Sequence, residues 1–385
     1  MDRRQRGGAE PGALTIESTV AMRAVAAHDD PLLLAAHPSY RRNPFQALLY
    51  GDIWSAGVAW VPMPRWSQLD ELIELQRAGL PTVLHLNWLT AVLKDATSAS
   101  HARELRNAWI AGIEAYRAQG GHVAWTIHNI VPHESLFEAE EAALSADVAA
   151  HADVIHVMAA ATPTLVAEHY DLPADRLIHV PHPSYRGVYP DYISRATARI
   201  ELGILPDEVV VAAVGDIRPY KGLDELLDAW ALVPSDRPRR LLIAGSPMDA
   251  PGIEDILGRA ALDTRVILDA RFIPADEVQV LLRAADVAVL PYRRALNSGA
   301  LMLALTFGLP VIAPAGTGMS EVLQPSFSWT YPAGDRAALA ALLGRAEELG
   351  TPEGHAAAMQ AADACDPATI SARFATALRD RLRGA

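Results

Sequence analysis

The chain has one cysteine in 385 residues, Cys365, so no disulfide framework can brace it and a reducing compartment is expected. No apolar run reaches the roughly eighteen residues of a membrane-spanning helix. Cations are scarce as well. Thirty-three Lys and Arg against 46 Asp and Glu leave a formal charge of −13, which argues against a broad nucleic-acid footprint and confines any anion site to a local cluster. Metal motifs are missing: there is no His-Glu-x-x-His, no cysteine pair and no Asp-x-Asp at a strand end, so metal-independent chemistry without a cofactor is expected. The N-terminal MDRRQRGGAEPGALTIEST has a charged start but no continuous apolar stretch after it. It reads as a disordered tail over residues 1–30 rather than a signal peptide. These absences leave a cytoplasmic chain, with peripheral contact at the inner face of the membrane still open to it.

What is present is a ladder of short apolar runs. Half the residues are hydrophobic (51%), and the length predicts two domains. LLLAA (32–36), VAWVPM (58–63), TVLHLNW (82–88), HVAWTIHN (122–129), VIHV (154–157) and LIHVPH (177–182) alternate with helical patterns such as 44–56, 69–78, 102–118 and 162–169. A second series follows: VVVAAVG (209–215), RLLIAG (240–245), RVILDARF (265–272), VAVLP (287–291) and PVIAP (310–314), with helices at 223–231, 275–284 and 299–307. Continuous apolar strands separated by helices predict parallel sheets covered on both faces. The fold class is therefore α/β, with two Rossmann-like doubly wound domains over 31–190 and 191–351. They are joined near PHPSYRGVYPDY, and a C-terminal helical segment over 352–385 packs back on the body. Ligands of such sheets sit at the carboxyl ends of the strands, so a cleft between the domains is the expected site.

Four stretches carry candidate chemistry. In VGDIRPYKGLDELLDAW (214–230), a strand ends at Gly215 and a helix starts near Gly222. Arg218 and Lys221 stand between them, a setting suited to a diphosphate or equally to a solvated basic loop. Asn297, Ser298 and Gly299 open another helix after VAVLP and could hold a phosphate or ribose oxygen, or simply cap that helix. Glu321, in AGTGMSE, could accept from sugar hydroxyls or complement a helix dipole. In the first domain, HVAWTIHNIVPHE brings His128 and Asn129 to a strand end, with His133 and Glu134 just beyond. His85 in HLNWL offers an acceptor contact, while Trp88 beside it reads as site or core. Arg41, Arg42 and Asn43 precede Pro44 at a helix start, which suits an anionic acceptor or a plain basic turn. His182 in the linker is a further strand-end histidine.

In this order the segments resemble the retaining GT-B glycosyltransferases of the glycogen-synthase-like, family 4 type. GDIRPYKGLDELLDAW is similar to that family's G-x(5)-K-G-x(3)-L-L-x-A block, and ADVAVLPY, ALTFGLPVIAP and GTGMSEVL match later blocks. The resemblance implies transfer of a hexose from a UDP- or GDP-linked donor to a saccharide or lipid-linked acceptor, with retention, in polysaccharide or glycolipid assembly. It assigns Arg218 and Lys221 to the diphosphate and His128 to the transferred hexose. One departure stands out. The family's two glutamates, eight positions apart, fall at Ala295 and Leu303, so Asn297, Ser298 and Glu321 are the expected substitutes. Other readings are a catalytically silent partner of the same fold, a nucleotide-sugar epimerase and a sugar phosphorylase.

Overall fold

The computed structural model describes residues 12–40, 43–130 and 136–384. The chain divides into two compact units: Met1–Met158 with Thr162–Pro181 and Ala368–Ala385, and Ala159–Ala161 with His182–Pro367.

The first unit is a six-stranded parallel sheet with flanking helices. Its strands are β1 (Leu32–His37), β2 (Val58–Pro62), β3 (Thr82–Leu86), β4 (His122–Thr126), β5 (Val154–Val157) and β6 (Leu177–His179), in the order β2-β1-β3-β4-β5-β6. β1 and β3 are buried along their whole length, as their unbroken apolar runs demand. The strand order reverses between β1 and β3. That pair is the topological switch point of the sheet.

The second unit repeats the plan with β7 (Val209–Val214), β8 (Arg239–Ala244), β9 (Val266–Asp269), β10 (Val287–Val289), β11 (Val311–Pro314) and β12 (Ser328–Tyr331), ordered β12-β11-β10-β7-β8-β9. Its switch point is the pair β7 and β10. Trp230, from the helix Leu223–Ala231, is fully buried in the core between sheet and helices.

Two expectations need correction. The N-terminal segment is not structureless over 1–30: Ala13–Ala24 is a helix that buries Leu14 and packs on β2 and the helix Leu69–Arg77. The expected helix over 44–56 is two pieces, Pro44–Leu49 and a 3-10 turn Ile53–Ala56.

The helix Pro367–Arg383 belongs to the first unit. Phe374 stacks on His85 at 5.2 Å between centroids and 15° between planes, and touches Tyr50 and His156. Ser371 Oγ accepts from the Asp52 amide at 2.8 Å. Arg379 binds the carbonyls of Gly57 and Asp30, fastening the helix to the amino end of β1.

Candidate functional site

In the second unit the loops after β7, β10 and β11 are tied into one body. Arg293 N donates to Tyr220 O at 3.2 Å, and its guanidinium reaches Asp224 at 2.6 Å. Gly318 N donates to Ala295 O at 2.8 Å. Three strand ends around the switch point thus present one surface.

The turn 215–222 shows why its residues take these types. Gly222 has φ +67°, and a Cβ there would lie 2.2 Å from the Pro291 carbonyl oxygen, so only glycine lets the turn close on the neighbouring loop. Gly215 has φ +131°, and its Cβ position lies 3.0 Å from Lys221 Nζ. The ammonium is therefore laid across the end of β7. Lys221 is 9% exposed, and its Nζ sits 5.5 Å from the centre of the Tyr292 ring. It makes no salt bridge among the described residues. Burial lowers its pKa to about 8, with Arg218 pushing the same way and Asp216 opposing. Arg218 is half-exposed and pairs loosely with Asp216 at 3.3 Å.

Beside this turn, Ser298 caps the helix Gly299–Thr306, accepting from Leu301 N at 3.1 Å. Its hydroxyl also bonds Tyr292, whose phenol is held neutral by burial. The amides of Gly299 and Ala300 precede the first intrahelical bond and point out of the helix end, as such amides do. Asn297 is half-buried in the same loop. Two cations and a helix N-terminus converge at the switch point, which suits a compact polyanion. Glu321 is exposed, at the end of a 3-10 turn, and its carboxylate accepts from Ala160 N at 2.5 Å. That bond occupies an oxygen expected to face a sugar or ribose.

In the first unit, His128 and Asn129 follow β4 and are half-buried. His128 stacks on Trp88 (4.3 Å, 21°) and meets Phe45 edge-on (4.8 Å). Behind it, polar side chains cross the sheet. Val180 O can only accept, so His156 Nε2 donates to it at 2.8 Å and His156 Nδ1 takes the Thr126 hydroxyl hydrogen at 2.9 Å. Thr126 Oγ1 then accepts from His85 Nε2 at 2.8 Å, and His85 Nδ1 accepts from Tyr50 OH at 2.8 Å. Asn87 Nδ2 donates to the Tyr50 oxygen at 3.2 Å, leaving Asn87 Oδ1 to accept from His128 Nε2 over a long 3.4 Å. The series runs from the Val180 carbonyl beside β6 to His128 beyond β4, where His128 Nε2 faces the Asn87 carbonyl oxygen.

This corrects the reading of His85. It is 0% exposed, kept neutral by burial with its pKa well below the usual histidine value, and spends both nitrogens inside the core. No acceptor reaches it. Asn43 is a helix cap, accepting from Phe45 N at 3.0 Å. His182 is buried, and its Nδ1 bonds the Pro183 carbonyl. Arg41, Arg42, His133 and Glu134 lie outside the described residues. Sequence reasoning passed over Tyr292 and Asn87; the first ends the VAVLPY run, and the second sits inside the quoted HLNWL.

Among the described residues, no three His, Cys, Asp or Glu side chains cluster as a metal site would need, and no helix is long and apolar enough to cross a membrane.

Residues 208–347 match the family described as glycosyl transferases group 1. The chain is 27% identical over 299 residues to the GDP-mannose:glycolipid 4-beta-D-mannosyltransferase of Xanthomonas campestris pv. campestris, covering 76% of this chain and 77% of that protein. It is 31% identical over 201 residues to the D-inositol 3-phosphate glycosyltransferase of Jonesia denitrificans, covering 50% of this chain and 45% of that one. Among solved structures, Anabaena Alr3699/HepE in complex with UDP and glucose superposes with a TM-score of 0.65 at 16% identity, over 91% of this chain and all of that one. Sucrose-phosphate synthase from Thermosynechococcus elongatus gives 0.66 at 17% identity, over 92% and 100%.

Proposed function

We infer, for a chain that belongs to the group 1 glycosyltransferases and has the GT-B fold, that it moves a hexose from a nucleoside diphosphate sugar to an acceptor hydroxyl. One observation carries the details of donor binding: Lys221 is a buried ammonium with no salt-bridge partner among the described residues, beside Arg218 and the N-terminus of the helix Gly299–Thr306, at the switch point of the second sheet. A cation held out of water without an ion-paired anion costs free energy, which Asp216 offsets only in part, and a diphosphate leaving group supplies the further negative charge. Because charge on that diphosphate grows as the glycosidic bond breaks, Arg218, Lys221 and the amides of Gly299 and Ala300 stabilise the transition state more than the bound donor. They take the part a divalent ion would otherwise play, so turnover proceeds in chelator.

Asn297, Ser298 and Glu321 hold the ribose and donor sugar in place of the two glutamates absent at Ala295 and Leu303. His128 contacts the transferred hexose. The acceptor side is assigned to Asn129, with Arg41, His133 and Glu134. The acceptor is a saccharide, lipid-linked in the reading we favour, and the enzyme works in the cytoplasm at the inner face of the membrane. The glycolipid named for the Xanthomonas relative supports that choice. Retention is what the family resemblance implies, and the one-bond C–H coupling at the product's anomeric carbon tests it.

The test is a thermal-shift panel of UDP, GDP, ADP and dTDP in EDTA on wild type and Lys221→Ala. A nucleotide that binds only the native state raises its melting temperature. One nucleotide should shift the wild type and not the variant. If none shifts the wild type, the diphosphate assignment fails.

A further inference from the structure

The first unit has its own switch point, between β1 and β3, and a cleft of about 470 Å³ opens there. His37 and Pro38 at the end of β1 and Leu86 and Trp88 beyond β3 form one wall. Trp66 and Trp109 form another. The two indoles stack at 4.5 Å and 28°, and Trp66 fits because residue 112 is glycine, whose Cβ position lies 3.1 Å from the Trp66 ring. Tyr40 borders Trp88 at 5.3 Å, and Lys94 lies at the rim.

The cleft also holds one prepared hydrogen-bond acceptor. His37 is 7% exposed, and its Nδ1 donates to the Met63 carbonyl at 2.8 Å. That bond fixes the tautomer and leaves Nε2 with a lone pair and no protein partner among the described residues. Burial holds the ring neutral, with its pKa below the ordinary 6.5. A buried nitrogen of this kind selects for a ligand hydroxyl.

We propose that this cleft is a saccharide subsite, in which a hexose ring of the acceptor lies with its C–H face on the indoles and a hydroxyl donating to His37 Nε2. The proposal rests on the transferase reading and adds to it the class and location of the acceptor's recognised part. Broad aromatic faces with polar tips suit a ring that is apolar on its faces and polar at its edge. A purely aliphatic chain would leave the buried His37 Nε2 without a partner. Trp88 is the shared wall: it lines the cleft and stacks on His128, so the subsite adjoins the residue assigned to the transferred hexose.

The protein contains eight tryptophans, which makes 5-fluorotryptophan labelling and 19F NMR a direct readout. Trp66→Phe, Trp88→Phe and Trp109→Phe assign the three cleft signals. Probes are methyl β-D-glucopyranoside, methyl α-D-mannopyranoside and cellobiose, with geranyl phosphate as the aliphatic anion, each with and without GDP or UDP. At least one saccharide should shift the three cleft signals and leave the other five in place. Ala108→Trp, at an exposed lining position, should fill the cleft and weaken that saccharide at least tenfold, with nucleotide thermal shifts unchanged. Shifts with geranyl phosphate alone, or with no probe, overturn the subsite. A lost nucleotide response in the wild type overturns instead the transferase reading beneath it.

Discussion

Lys221 should make nucleotide affinity depend on pH in a way its ordinary chemistry would not. An exposed lysine stays protonated to beyond pH 10, but burial brings this one to about 8 in the empty site. A bound diphosphate favours the ammonium and raises that value again. At pH 7 about nine-tenths of the molecules carry the proton before binding, and at pH 9 roughly one-tenth do. The dissociation constant of the nucleoside diphosphate should therefore rise about tenfold from pH 7 to pH 9, close to 1.4 kcal/mol. Isothermal titration at pH 9 in two buffers of different ionisation enthalpy should show uptake of ~0.9 proton per nucleotide bound.

Stability has its own sign. Between pH 8 and the ordinary 10.5, the unfolded chain holds the proton and the folded chain does not, so stability rises with pH through that window. Below pH 8 the folded state carries the buried charge at a penalty of roughly 3 kcal/mol. Lys221→Met should thus melt higher than wild type at pH 7 while losing both the nucleotide response and its pH slope. An affinity flat from pH 7 to 9 with no proton uptake would refute the placement of this ammonium against the diphosphate.

Three other outcomes follow from the geometry. Gly222→Ala places a methyl 2.2 Å from the Pro291 oxygen at φ +67°, and should cost roughly 2 kcal/mol or more in urea unfolding and weaken nucleotide binding by displacing Lys221. Thr126→Val keeps the shape but strips the hydroxyl between His85 and His156; a loss of about 1–3 kcal/mol is expected, and 15N imidazole shifts of His85 and His156 should change. Glu141 is buried, its Oε2 has no hydrogen-bond partner among the described residues, and burial raises its pKa to about 7. The folded state then binds more protons than the unfolded one between pH 4.5 and 7, so stability falls with rising pH there. Glu141→Gln should raise the melting temperature at pH 8.5 and change it little at pH 5.5.

The strand ladder was legible because a parallel sheet buried on both faces needs unbroken apolar runs, and the chain supplies them. β12 escaped because an edge strand with Trp329 and Thr330 partly exposed shows no such run. The helix Ala13–Ala24 escaped for a related reason: its burial rests on Leu14 and Ser18, too few to stand out beside a charged N-terminus. At the site, Arg218, Lys221 and Ser298 declare themselves by type and position after strands. His85 misled because alternation along a strand does not say which side carries Tyr50 and Thr126. Only the assembled sheet makes that residue core. The reach from Val180 to His128 is likewise invisible in sequence, since it runs across β5, β4 and β3 rather than along any of them.

The helix Pro367–Arg383 imposes an order on synthesis. Phe374 covers His85 and His156 in the first unit, yet it leaves the ribosome after every residue of the second. While the second unit is being made, the first lacks the phenyl ring that covers His85 and His156. The earlier unit is thus the last to be completed, and the loops after β7, β10 and β11 are made before the helix that closes over His85 and His156.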